Sequence, residues 1–173
     1  RQAEFEGCRA AHHHAAAECL ANHCKADLNA VDHHKQTPLM HATASGDFAM
    51  VVLLLDAGAD MDLQDDTGQT LLTICGFVKN DESIKTAVEL IKRGADVDIQ
   101  DEVGNTALIN AAKSDNAVVT EHLLSVHPAA DTEKQVHLTW ETPIITASKL
   151  GHLGIARQLA GGAAALSEAV EKH

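Results

Sequence analysis

"GADMDLQDDTGQT" fills positions 58–70, and "GADVDIQDEVGNT" fills positions 94–106. Gly, Ala, Asp, Asp, Gln, Asp, Gly and Thr recur in the same order, an agreement that composition alone does not produce. A short motif returning at such an interval marks a repeated structural element. Extended in both directions, each copy becomes a whole unit. Thr37, Thr70, Thr106 and Thr142 open these units, 33, 36 and 36 residues apart. After each Thr the pattern predicts a short helix, over 38–45, 71–78, 107–114 and 143–150. A turn follows, then a second, more apolar helix over 49–56, 84–93, 117–125 and 153–160, and then a loop.

Local chemistry supports this division. A Thr hydroxyl caps the free N–H groups of a helix start, and the Pro that follows at 38 and 143 is tolerated in the first turn. Ala111-Ala112 lets helices approach closely. Asp65 to Gly68 and Asp101 to Gly104 read as tight turns, with the carboxylate bonding backbone N–H groups and Gly in the left-handed position. One such unit cannot bury its apolar face alone, but stacked neighbours can. Leu54, Leu90, Leu123 and Leu159 take matching places in the second helices and are expected to line the shared interior.

Bulk composition agrees. Across 173 residues, 45% are hydrophobic but only 2% aromatic, with three Phe, one Trp and no Tyr. Ala and Leu dominate, which favours helix over a sandwich or barrel. The formal net charge of −12 disfavours nucleic acid and anionic lipid, although protonating all twelve His would bring it to 0. No apolar run approaches the roughly 20 residues of a membrane-spanning helix. The chain opens on Arg1 without a signal-peptide pattern. Cys8, Cys19, Cys24 and Cys75 lack disulfide-framework or zinc-ribbon spacing, so they read as reduced residues of an intracellular protein. Cytoplasm and organelle interior are not distinguished.

The units resemble the ankyrin repeat. Residues 32–65 carry the likeness best, through Thr37-Pro38-Leu39, Gly46, Val51, Leu53-Leu54-Leu55 and Gly58-Ala59-Asp60. The resemblance covers residues 4–163 and implies an all-α solenoid of about five stacked antiparallel helix pairs with short β-hairpin fingers. A single domain over 1–173 is expected, with a cap unit at 1–31, units at 32–64, 65–100 and 101–136, and a closing unit at 137–173. Some positions depart from the family pattern. Met40, Thr73, Ile109 and Ile145 stand where the family has His. About three extra residues lie near 79–81. "SVHPAADTEKQVHLTWE" at 125–141 replaces the Gly-Ala-Asp finger, putting His137 and Trp140 at the expected Asp and Gly. Arg157 and Gln158 suit a solvated end cap, after which Ser167 is expected to open a last short helix.

Searching for chemistry finds no phosphate-cradling Gly loop, H-E-x-x-H or G-x-S-x-G pattern, so the chain reads as non-enzymatic and cofactor-free. Cys8 with His12 and Cys19 with His23 are each four apart, the one arrangement that could set metal ligands on helical faces. That spacing matches no common zinc module, and small packed Cys with solvated His is the preferred reading. The resemblance places partner binding on the finger tips and the concave ends of the first helices. Those positions are His33, His34, Gln36, Asp66, Thr67, Gln69, Glu102, Val103 and Asn105, then Phe77, Val78, Lys113 and Lys149. Leu138, Thr139 and Glu141 would follow in the last finger, and Trp140 sits in the irregular loop as an interface anchor or a plug. Asp62 and Asp98 occupy the position where related repeats are hydroxylated.

The leading function is a protein-interaction module, its partner neutral or basic and bound along the concave face. One alternative is an accessory subunit of a larger assembly, using its edges and the 125–141 loop. Another is a metal- or pH-responsive regulator built on the His-rich N-terminal unit.

Overall fold

The computed structural model describes residues 27–126, 130–137 and 139–170, with side chains as far as 161. Eight helices lie in this part and no strand. They are α1 (Pro38–Ala44), α2 (Phe48–Asp56), α3 (Leu71–Phe77), α4 (Asp81–Lys92), α5 (Ala107–Ser114), α6 (Ala117–Ser125), α7 (Pro143–Leu150) and α8 (Leu153–Val170). Each odd helix pairs with the even one after it. Successive pairs stack, α3 on α5 on α7 and α2 on α4 on α6 on α8. This is the expected all-α solenoid, with four helix pairs among the described residues. The N-terminal unit, including Cys8, His12, Cys19 and His23, lies outside the described residues.

Capping chemistry places the helix starts. Thr37, Thr70 and Thr106 hydroxyls accept the backbone N–H of Met40, Thr73 and Ile109. Asn80 begins α4 three residues earlier than expected by accepting Ser83 N–H, so the extra residues before it are partly taken into the helix. Thr142 breaks the pattern: it is buried but makes no side-chain cap bond. Gly161 and Gly162 do not end α8, so Ser167 opens no separate helix.

The core is the row of second-helix leucines with the small residues of the first helices. Leu54, Leu90, Leu123 and Leu159 are all buried, as are Ala107, Ala111 and Ala112. Gly76 sets the closest approach: a Cβ there would lie 2.6 Å from the Ala107 carbonyl oxygen. Burial of this kind is the main stabilising force in a repeat array, because each unit completes its neighbour's core. Cys75 is part of that core, and burial pushes its thiol up to about 12.

Between the pairs, reverse turns project as fingers tied to each other. Asp66 N–H donates to His34 O (3.0 Å), Glu102 N–H to Thr67 O (3.2 Å) and His137 N–H to Val103 O (2.8 Å). Such single rungs are too few to make strands. Gln64 and Gln100 brace them, each donating both to its own finger, at Gly68 O and Gly104 O, and to the next one, at Gln100 O and Gln135 O.

Candidate interaction surface

Three fingers are built alike. Oδ1 of Asp32, Asp65 and Asp101 accepts two backbone N–H groups across the turn, from His34 and Gln36, Thr67 and Gln69, and Val103 and Asn105. The N–H of Gln36, with those of His34 and the His41 ring, holds the Asp32 carboxyl down at about 2. The third residue after each Asp has positive φ: Lys35, Gly68 and Gly104. At Gly104 a Cβ would also collide with His137, its ring at 2.6 Å and its backbone N at 2.7 Å.

The fourth finger departs, and its register corrects the sequence reading. Val136 takes the place expected for His137, since Val136 N–H bonds Glu141 O as Asp101 N–H bonds Asn105 O. One additional residue lies in the turn, and Trp140 takes the left-handed position with φ 56°. The finger's base is conserved in form, because Ala130 N–H bonds Leu123 O as Ala95 N–H bonds Leu90 O. Ala130-Asp131 therefore stands for the Ala-Asp of the Gly-Ala-Asp motif, a signal visible in the sequence. Trp140 is 71% exposed, so it is not a plug of its own loop.

The structure gathers some of the expected contact residues and disperses others. A groove of about 250 Å³ lies between α3 and α5, lined by Gln69, Ile74, Phe77, Val78, Asp101, Asn105, Asn110 and Lys113. Phe77 is 61% exposed, which excludes packing beneath the residues that follow Val78. Asn105 is buried and internally committed, donating to Asp101 Oδ2 (2.9 Å) and accepting from Lys113 Nζ (2.5 Å). It shapes the groove floor, and its tip is not a free contact, contrary to expectation. Asn110 donates to Thr73 O across the α3–α5 joint. Ile74 and Asn110 were not foreseen from the sequence, and Asp101 was foreseen only as a turn residue; Ile74 and Asn110 share one register, four residues after their Thr, which is the signal that would have found them.

At the finger tips, His33, His34, Asp66, Thr67, Glu102 and Val103 are exposed, while Gln36 and Gln69 are half-buried. His34 Nδ1 lies 3.1 Å from Asp66 Oδ2 across two fingers. Lys149 and Trp140 belong to the last unit, away from the groove, and Lys149 pairs with Glu141. Thr139 is exposed, and Leu138 lies outside the described residues. The result is a groove that combines apolar side chains (Ile74, Phe77, Val78) with polar ones (Gln69, Asn105, Lys113), and Asp66 and Glu102 are exposed on the fingers that carry Gln69 and Asn105. It suits an apolar side chain with polar neighbours.

Asp62 and Asp98 serve a structural purpose. Their Oδ1 atoms accept Asp96 N–H (3.0 Å) and Asp131 N–H (2.8 Å) of the next unit, and Asn29 does the same for Asp60. Partial burial, with Asp96 and Asp60 nearby, pushes the Asp62 carboxyl upward. Among the described residues no group of His, Cys, Asp and Glu is arranged to hold a metal ion, and no helix is long and apolar enough to cross a membrane.

Residues 7–65 and 74–168 match the family model described as ankyrin repeats (3 copies), and the chain belongs to the ankyrin-repeat family. Such repeats are generally non-enzymatic modules that bind protein partners. Over 60 residues the chain is 40% identical to the transient receptor potential cation channel subfamily A member 1 of Homo sapiens. That match covers 35% of this chain and 5% of the channel, so the chain spans a small part of that relative's length.

Proposed function

We propose that this ankyrin-repeat chain holds a protein partner in the groove between α3 and α5, with Phe77 as its anchor. The observation that carries the reading is a large aromatic, 61% exposed, beside a formed cavity. An exposed Phe contributes nothing to the core here, and aromatics seated at a pocket commonly dominate binding. Lys113 retains N–H donors beyond the one given to Asn105, for a carbonyl or carboxylate of the partner. Asp66 and Glu102 favour neutral or basic groups around the anchor. The intracellular setting read from the cysteines is part of this proposal.

Affinity for the partner recovered with the wild-type chain tests it. Phe77→Ala should weaken binding by about 2 kcal/mol or more without changing the melting temperature. Asp66→Asn and Glu102→Gln should cost less, and their effect should fade at high salt because exposed charge is screened. Normal binding by Phe77→Ala overturns the groove. The second reading, an accessory subunit attached through the last loop, is favoured by the exposure of Trp140; it is supported if Trp140→Ala alone abolishes binding. A metal- or pH-responsive role for the Cys8, His12, Cys19, His23 set rests on the sequence alone, and metal analysis of the purified chain tests it.

A further inference from the structure

The groove between α3 and α5 holds a cation that has no counter-charge among the described residues. Lys113 is half-buried, and its ammonium has one partner there, the amide oxygen of Asn105. Lys79, Lys85 and Lys149 each meet a carboxylate, and Arg93, also half-buried, meets two, from Asp56 and Glu89. Lys134, bonded to the Asp98 carbonyl, is without one too but lies outside this groove. With 25 acids against 13 Lys and Arg, the chain is not short of carboxylates. Asp101 is the one acid lining the groove among the described residues, and it is occupied. Its Oδ1 accepts the N–H groups of Val103 and Asn105, and its Oδ2 accepts the Asn105 amide.

An ammonium that has given up part of its water is only partly compensated by one neutral oxygen. A carboxylate completes it better than a carbonyl does, because charge-assisted hydrogen bonds are roughly twice as strong as neutral ones. At about 250 Å³ the groove is smaller than the roughly 300–1,000 Å³ of small-molecule sites, so it takes side chains of a macromolecular partner. A free chain end is usually caught by a nest of backbone N–H groups. Here the N–H groups of Val103 and Asn105 are already given to Asp101, so the carboxylate that fits is a side chain's. The net charge of −12 and the exposed Asp66 and Glu102 repel further acids, which leaves the rest of the segment neutral or basic.

We propose that the groove selects a linear segment of a partner protein that sets an apolar side chain against Phe77 and an Asp or Glu carboxylate on Lys113, with no other acid nearby. This rests on the groove reading above and adds the chemistry of the occupant. Phe77 supplies affinity, and Lys113 supplies discrimination.

An array of N-acetylated, C-amidated peptides tests it. Each carries a central Leu, one acid (Asp or Glu) or its amide (Asn or Gln) at a varied position on either side, and Ala, Ser or Lys elsewhere. The folded chain should bind at least one acid peptide about tenfold or more tighter than its amide twin. Lys113→Met keeps the apolar stem and should lose that preference, Lys113→Arg should keep it, and Phe77→Ala should weaken both twins together. The twin comparison on the wild type stands even if Lys113→Met fails to fold. Twins that bind alike through Phe77 overturn the carboxylate and leave the groove reading intact. A preference that survives Lys113→Met also overturns it. Binding that Phe77→Ala leaves untouched overturns the groove reading as well. An array with no binder overturns the linear segment, while the affinity of Phe77→Ala for the recovered partner still decides the groove.

Discussion

The units opening at Thr106 and Thr142 are neighbours of similar sequence, yet they meet their physical requirements differently. In the first, Thr106 caps α5, Asp101 ties the finger, Gly104 takes the left-handed position and Asn110 reaches the backbone of the preceding unit. In the second, Thr142 makes no cap bond, Val136 cannot tie its finger, Trp140 holds a positive φ, and Thr146 Oγ1 and Gln158 Oε1 are buried without hydrogen-bond partners. The Thr106 unit leaves one such group as well, Asn116 Nδ2, so the contrast lies in the cap and the finger, and in Ile144 and Ile145 being exposed where Leu108 and Ile109 are buried.

The largest difference should come from the core. Leu90→Ala is expected to cost about 2–5 kcal/mol, the range for emptying a buried leucine site, and to lower the main unfolding transition. Leu159→Ala should act locally instead, fraying α7 and α8 ahead of the rest, because units in a linear array unfold in turn from a weak end. Urea melts with hydrogen exchange separate the two patterns. A single cooperative shift from Leu159→Ala would erase the distinction.

Next comes the joint itself. Gly76→Ala puts a methyl against the Ala107 carbonyl oxygen and should destabilise by about 1–3 kcal/mol, the usual cost of overpacking. Ser148→Ala, at the same register in α7 but exposed, should change the melting temperature hardly at all. Equal shifts would show that something covers α7 in the isolated chain.

Capping offers a smaller contrast. Thr106→Ala should cost about 0.5–2 kcal/mol by orphaning the Ile109 N–H, whereas Thr142→Ala loses no such bond. Should both melt alike, the Thr142 hydroxyl caps α7 in solution.

The smallest effect is acid sensitivity. Asp32 is held at about 2 in the fold, below the ~3.9 of an unfolded Asp, so its contribution is complete above about pH 4 and lost as pH falls towards 2. Asp32→Asn, which still accepts N–H groups but does not titrate there, should remove that part of the acid dependence. Superimposable melting curves for the two proteins between pH 4 and 2 would disprove it. Asp62, displaced upward, works the other way: its protonation on acidification favours the fold.

Much of this architecture was legible because its determinants are local. Thr37, Thr70 and Thr106 announce their helices within three residues, and the Asp-to-Gly turns do so within four. The second-helix leucines announce a core by their period. The groove was half legible: Phe77, Val78 and Lys113 stood out as concave positions, but Ile74 and Asn110 enter it only because α5 lies against α3. The last finger was misread by one residue. Counting back from Thr142 lands on His137, and only the Val136–Glu141 bond shows that the turn has gained a residue.

By itself, then, the amino-acid order determined the repeat, its two helices per unit, the caps, the tight turns and the leucine row, since each depends on chemical groups within about one turn of chain. Tertiary structure alone decided which faces of those helices are covered. It buried Asn105 and turned its amide inward, left Phe77 bare beside a cavity, and exposed Ile144 and Ile145 while hiding Leu108 and Ile109. The physical reason is distance along the chain: solvent exposure in a stacked array is set by the neighbouring unit, some 33 to 36 residues away, and no local signal reports whether that neighbour is there.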